Sequence, residues 1–180
     1  MADLHFRLLN RDIENTTFDC GNASVNELIK QSYYPTILQH GYCFEVSIQN
    51  RIVGYYMLML MPIDWQDSHG LLDDKYSDMC KQSAVVHIKY LAVEAKYQGK
   101  GIGSAILDSI IRRVNEYSKY LPIRLIQLEA LKDKYSWYTK RGFVAYNTEA
   151  MNDANSTILM YFDCLSQEHQ VALMEYIEEY

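Results

Sequence analysis

The sequence has no pair of cysteines at C-x-x-C spacing, no run of about 18 apolar residues and no excess of positive charge. Each absence closes off a class. The four cysteines, Cys20, Cys43, Cys80 and Cys164, are scattered over the chain. Zinc and thioredoxin-type sites are therefore not expected, no metal is called for, and the thiols read as reduced and mostly buried. Without the apolar run no transmembrane helix is expected. The opening MADLHFRLLNRD mixes acidic and basic residues and lacks the apolar stretch of a secretory signal, so a cytoplasmic protein is expected. A net charge of −6 argues against broad, non-specific nucleic-acid binding, which needs clustered cations to displace counterions. Local basic stretches remain (Arg112 and Arg113; Lys132, Lys134, Lys140 and Arg141), either a seat for a phosphorylated ligand or a solvated helix face.

Glycine is also scarce, 8 in 180 residues, yet three stand at alternate positions, Gly99, Gly101 and Gly103. They lie between an apolar strand-like run and a long amphipathic stretch. With 49% hydrophobic and 22% charged residues the chain can bury a core, and its length suits a single domain, 1–180. The patterns predict a strand over 4–9 and a helix over 24–34, capped by Asn22 or Ser24 and ending near Pro35. A hairpin follows, Tyr42 to Ile48 and Ile52 to Met61, turning at Gln49-Asn50-Arg51. A mixed polar segment spans 62–83. Next come a strand over 84–93, a helix over 101–119 with Ile102, Ala105, Ile106, Ile110, Val114 and Tyr117 inward, and a strand over 123–131. A short helix over 132–141 closes at Gly142, then two strands (FVAYN and STILMYFDC) and a last helix over 166–180 with Val171, Leu173, Met174 and Ile177. The unit from 86 to 130 is a βαβ crossover, so its strands should be parallel while the hairpin is antiparallel. The fold class is thus α/β (α+β mixed), a mixed sheet with helices on both faces.

A strand entering a helix through glycines is a phosphate-binding arrangement, because the first turn offers unpaired N–H groups and the positive end of the helix dipole. A Walker A loop is absent, and a dinucleotide fingerprint needs G-x-G-x-x-G where this chain has Ser104 at the third glycine's place. What stands here is Gln98-Gly99-Lys100-Gly101-Ile102-Gly103, that is Q-x-x-G-x-G, preceded by Leu91 and Val93 and followed later by W-Y-x-x-x-G-F. In these residues, and over roughly 4–163, the chain resembles the GNAT superfamily of acetyl-CoA-dependent N-acetyltransferases, with the helix over 166–180 as an addition. The resemblance implies that the backbone of Gln98, Gly99, Lys100, Gly101, Ile102, Gly103 and Ser104 cradles the pyrophosphate of acetyl-CoA. It implies that the strand ending in Leu91, Ala92 and Val93 splays from the next strand near Leu128, that pantetheine lies in the gap, and that the Val93 N–H polarises the thioester.

Acyl transfer to an amine by direct attack in a ternary complex needs a neutral amine, a stabilised oxyanion and a protonated leaving thiolate. The resemblance gives the last role to Tyr138. His87 stands where a family branch has a glutamate base; Glu45, Glu129 and an ordered water are its rivals. The acceptor groove is expected between the early helices, the 62–83 segment and the last strands. Asp64, Asp67, Asp73, Asp74 and Asp78 form either an acidic wall for a cationic amine or a solvated loop. The stretches FDCGNASVNELIKQ, VGYYMLML and Y-L-A-V-E-A-K-Y-Q-G-K-G are also similar to the acetyltransferase toxins of bacterial toxin–antitoxin pairs, whose motif opens with Arg where this chain has Tyr90. That likeness implies an aminoacyl-tRNA substrate and a ribbon-helix-helix antitoxin. A non-catalytic acyl-CoA-binding module is the third reading. The family also implies a homodimer.

Overall fold

The computed structural model describes residues 3–64, 82–146 and 157–179. Strand β1 (His5–Leu8) precedes helices α1 (Ala23–Lys30) and α2 (Tyr33–Ile37). Strands β2 (Tyr42–Ile48), β3 (Arg51–Asp64) and β4 (Gln82–Val93) follow. A 3₁₀ turn, Ala95–Tyr97, leads to helix α3 (Ile102–Tyr117). The chain continues through β5 (Leu125–Leu131), a 3₁₀ turn (Lys132–Lys134), α4 (Tyr135–Thr139), β6 (Val144–Ala145), β7 (Thr157–Asp163) and α5 (Gln167–Glu179). The strands form one sheet in the order β1-β2-β3-β4-β5-β7-β6. β4 and β5, joined through α3, are its parallel pair; the other pairs are antiparallel. This is the mixed α/β architecture the sequence predicts.

Local chemistry explains most boundaries. The β2–β3 hairpin turns on Gln49 and Asn50, both left-handed (φ 48° and 62°), a two-residue loop whose twist matches that of the strands. Arg51, expected in the turn, is the first residue of β3 and pairs with Ile48. Asn22, not Ser24, caps α1, its Oδ1 accepting from the Val25 N–H at 3.1 Å. The single helix expected over 24–34 is two, because Pro35 sits inside the first turn of α2 rather than ending a helix; there its missing N–H costs nothing. Likewise the helix expected over 132–141 is a 3₁₀ turn followed by α4. The hairpin strand runs past Met61 to Asp64, and β4 begins at Gln82 rather than Ala84. The acidic stretch Asp67 to Asp78 lies outside the described residues.

Two apolar layers flank the sheet. On one face, α3 sinks Ile106, Leu107, Ile110 and Val114 against Val86, Ile88, Val93, Ile126 and Leu128. Leu107 takes a buried place the periodicity did not give it, while Tyr117, expected inward, is exposed. On the other face, Leu9, Phe18 and Ile29 pack on Tyr55, Met57, Tyr90 and Ala92. Burying one such side chain stabilises by about 1.5–3 kcal/mol. α5 is the exception: Val171 and Met174 are exposed, so the described residues leave uncovered a face expected to be packed. Among the described residues no helix is long and apolar enough to cross a membrane.

Candidate active site

β4 is the element from which the site is built. It pairs with β3 from Gln82 to Val93, interrupted by a bulge that leaves Lys89 without an opposite number, since Met57 faces Tyr90 and Leu58 faces Ile88. With β5 it pairs only at Val86, His87 and Ile88, opposite Ile126, Gln127 and Leu128. β5 goes on to Leu131 but stays with β7. Past the bulge, therefore, β4 and β5 diverge. The Glu94 N–H donates to the Val53 carbonyl at 2.9 Å, so by antiparallel alternation the polar groups of Leu91 and Val93 face away from β3, toward the side β5 has left. An extended ligand entering that gap meets main-chain donors and acceptors as an added strand would.

At the end of β4 the chain turns through the glycines. Gly99 and Gly101 are left-handed (φ 73° and 80°), and a Cβ on either would meet nothing within 4 Å. The sequence alone suggests a close approach to this backbone; the structure adds that the turn itself requires glycine, since the left-handed conformation costs other residues about 1–2 kcal/mol. The first backbone bond of α3 runs from the Ala105 N–H to the Gly101 carbonyl at 3.1 Å. Ahead of it the helix start has no side-chain cap, so the N–H groups of Ile102, Gly103 and Ser104 are open to an external anion.

The turn is held from outside. Gln98 Nε2 donates to the carbonyls of Cys20 (2.8 Å) and Val93 (2.9 Å). The Ala95 N–H donates to the Asp19 carbonyl at 2.9 Å. Asp19 Oδ1 in turn accepts from the Gly21 N–H and from Asn26 Nδ2, each at 2.7 Å. The backbone bond to Gly21, with help from Asn26, holds the Asp19 carboxyl below the usual carboxylate range. FDCGNASVNE is thus a buttress that docks the start of α1 against the glycine turn. Lys100 bends back to the Lys96 carbonyl (3.0 Å) and lies over the Tyr97 ring with Lys96.

Tyr138 sits on α4 beside the start of α3. Its local sequence explains its pose. The Phe143 N–H donates to the Tyr138 carbonyl (3.2 Å) and the Gly142 N–H to that of Thr139 (3.1 Å), with Gly142 left-handed at φ 86°. This pair of bonds is a Schellman ending, and its usual apolar contact is Tyr138 against Phe143, ring centroids 5.6 Å apart. The W-Y-x-x-x-G-F pattern therefore fixes the Tyr138 ring, with Trp137 edge-on at 4.7 Å. Burial pushes the phenol up to about 12 although Arg141 opposes it, so it carries its proton at neutral pH. Arg141 belongs to the basic stretch for which the sequence offers a phosphorylated ligand or a solvated face. Its guanidinium lies 4.0 Å from the Trp137 ring and donates to the Trp137 carbonyl (2.8 Å) and to Ser104 Oγ (2.6 Å). It ties the helix carrying Tyr138 to the first turn of α3.

The candidate bases separate. Glu45 is buried and held by Arg7, at 3.1 Å from Nε, and by Arg11; it lies on β2, level with Ala92 but two strands away across β3. Glu129 lies on β5 beyond its pairing with β4, with Thr157 Oγ1 at 3.4 Å. His87 is buried on β4 at the root of the gap, and among the described residues its Nδ1 has no partner. Burial, with help from Lys89, lowers its pKa against the pull of Glu129, so the ring is neutral at pH 7. Its register partners Met59 and Gln127 put it on the α1–α2 face. That face carries a groove of about 830 Å³ that reaches Lys89 and Tyr90.

A sequence model of the family described as an acetyltransferase (GNAT) domain matches residues 39–145. The chain belongs to the GNAT acetyltransferases. It is an acyltransferase, and the family's acyl donor is acetyl-CoA. The chain is 28% identical over 120 residues to a tRNA-acetylating toxin of Mycobacterium tuberculosis (strain ATCC 25618 / H37Rv), covering 66% of this chain and 70% of that one. In structure it is similar to a bacterial toxin (TM-score 0.76, 20% identity, 97% of each chain). It is also similar to AtaT complexed with acetyl-methionyl-tRNAfMet (TM-score 0.70, 19% identity, 96% of this chain and 99% of that one). Likeness at this identity is likeness of fold.

Proposed function

We propose that this acetyltransferase moves the acetyl group of acetyl-CoA to the α-amino group of an aminoacyl-tRNA. The observation that carries the reading is the three-pair contact of β4 with β5, opening beside a left-handed glycine turn at the bare start of α3. The named activity of the mycobacterial relative supports the choice of acceptor. The diphosphate rests on the N–H groups from Gln98 to Ser104, and pantetheine lies along Leu91, Ala92 and Val93. The Val93 N–H, facing the gap, draws electron density from the thioester carbonyl. The amine attacks that carbon; the C–N bond forms, the C–S bond breaks, and the thiolate takes the Tyr138 proton, which solvent restores. The proton lost by the amine goes to His87, directly or through one water. The whole chain, 1–180, acts as one unit.

A second reading, a small cationic amine as acceptor, draws on Asp12, Glu14 and Glu27 along the groove. One experiment separates the two. The protein is mixed with acetyl-CoA and, in turn, charged tRNAs, polyamines and peptides, and thiol release is followed. Release with charged tRNA, falling about 10²-fold or more in Tyr138→Phe while acetyl-CoA still binds, is the expected result. Release with polyamines alone selects the second reading. Tight acetyl-CoA binding without release from any amine counts against both.

A further inference from the structure

The groove on the α1–α2 face is much larger than an amino group requires, and its lining is mostly apolar. Its floor is Met57, Met59 and Tyr90, and its wall includes Leu28 and Tyr33. Tyr90 stands two residues beyond the last paired residue of β4 and β5, so the groove opens where the two strands part. We infer that this groove seats the side chain of the acceptor's aminoacyl group and selects one that is long and apolar, the size of leucine or larger. The inference rests on acetyl transfer to an aminoacyl group as proposed above, and adds which aminoacyl groups are taken.

Three features argue for an apolar occupant. The Tyr90 hydroxyl is engaged within the protein, with Ser32 Oγ and with Cys43 Sγ at 3.1 Å. Tyr90 therefore gives the groove its ring, and its polar tip is already satisfied. Ser32 is likewise committed, its Oγ donating to the Leu28 carbonyl at 2.7 Å. These bonds anchor the link between α1 and α2 over β4, so the wall is fixed. Second, two thioether side chains lie on the floor, and methionine moulds itself to unbranched and aromatic partners alike. Third, the charged groups among the lining residues, such as Asp12, Glu27 and Lys89, are drawn from α1, the segment before it and the bulge, not from the floor. A carboxylate beside the entrance attracts the substrate's ammonium, and Lys89 can meet a backbone phosphate. A charged side chain on the floor would give up its hydration without a partner there, and glycine would leave the floor unfilled.

The test uses the full-length protein and two panels matched by side chain: aminoacyl-tRNAs and the corresponding amino-acid amides of glycine, aspartate, lysine, leucine, methionine and phenylalanine. Acetylation is measured as kcat/KM, and occupancy as the shift of the Met57 and Met59 methyl resonances. The expected result is roughly 10- to 200-fold preference for the leucyl, methionyl and phenylalanyl members over glycyl in both panels, the range one apolar contact can supply. The same members should shift the methyl signals. Met59→Glu should narrow the leucyl-to-glycyl ratio at least about tenfold. Leu28→Glu, at a position already exposed, is the second variant should the first fold poorly. Equal rates across side chains, a preference for glycyl or aspartyl members, or no methyl shift with any apolar amide would overturn the inference. Methyl shifts by apolar amides without acetylation of either panel would keep the subsite and sink the aminoacyl-transfer reading instead.

Discussion

The two flanks of β4 are built differently. Toward β3 it is continuous, eleven register pairs from Asp64–Gln82 to Gly54–Val93 with one bulge. Toward β5 it is paired at three residues and then abandoned. The closed flank keeps its backbone paired, and the β3 side chains behind it pack tightly: Tyr56 stacks on Phe44 at 4.9 Å, and Phe18 sits edge-on to Tyr55 at 5.0 Å. Beyond Ile88 the open flank has no strand partner among the described residues, a cost that a sheet bears where a ligand completes it. The same strand thus provides rigidity on one side and, on the proposed reading, a binding edge on the other. Changes that force the backbone of the closed flank apart should register mainly as stability, and changes on the open flank mainly as function.

The largest effect should come from the closed flank. At Gly54 an added Cβ would lie 2.6 Å from the Ala92 carbonyl oxygen and 3.3 Å from Ile106 Cδ1. Backbone and helix α3 would both have to move. Gly54→Val is expected to cost about 3 kcal/mol or more, seen as a lower urea midpoint, with a fall in activity that tracks the loss of folded protein. An unchanged midpoint would mean that the two strands are not in this register.

Arg141→Ala comes next and tests the open flank. It removes a stack on Trp137 and two charge-assisted hydrogen bonds, expected to cost about 2 kcal/mol of stability. Because these bonds hold the helix of Tyr138 against Ser104, kcat should fall more than the KM for acetyl-CoA rises. Arg141→Lys should restore the charge but not the planar stack, and so recover little.

Most of this contrast was legible in the sequence. The glycine turn and the parallel crossover follow from residues close together in the chain, and the resemblance implies Tyr138. W-Y-x-x-x-G-F carries its own physical reason, because Gly142 is left-handed and Phe143 packs back on Tyr138. What was not legible involves partners far apart. Arg141 and Ser104 are 37 residues apart and Gln98 and Cys20 are 78 apart, and no local pattern signals either bond. The double ion pair that occupies Glu45 likewise depends on β1 meeting β2. The split of the first helix at Lys30 has no local signal, because Pro35, by pattern a helix terminator, stands here in the first turn of α2.

Gly101→Val should have a smaller effect on stability, about 1–2 kcal/mol from the left-handed φ alone, since a Cβ there meets open space. Its effect on acetyl-CoA should be larger, because the strained turn displaces the N–H groups at the start of α3. Gly101→Asn, which tolerates this φ, should recover most of the stability. If Gly101→Asn also recovers the KM for acetyl-CoA, glycine is there for conformation; if only stability returns, it is there for close approach of the ligand as well.

The smallest expected effect is at the root of the gap, where the flanks meet at His87. Its pKa is below the ordinary 6.5 because burial disfavours the cation, with Lys89 adding to the effect and Glu129 opposing it. Well above pH 6.5 the ring is neutral in both folded and unfolded chains and contributes no pH dependence. As the pH falls below 6.5 the unfolded chain binds the proton first, so stability declines until the folded-state pKa is reached. One group can produce a slope no steeper than about 1.4 kcal/mol per pH unit. Urea midpoints at pH 7.5, 6.5 and 5.5 should therefore fall mainly across the lower interval, and His87→Gln should flatten that fall. If His87 also takes the amine's proton, the same variant lowers kcat/KM at every pH and removes the acidic limb that belongs to the ring. Loss of the stability slope with kcat/KM intact would leave His87 a packed side chain of the closed flank and give its proposed role to water.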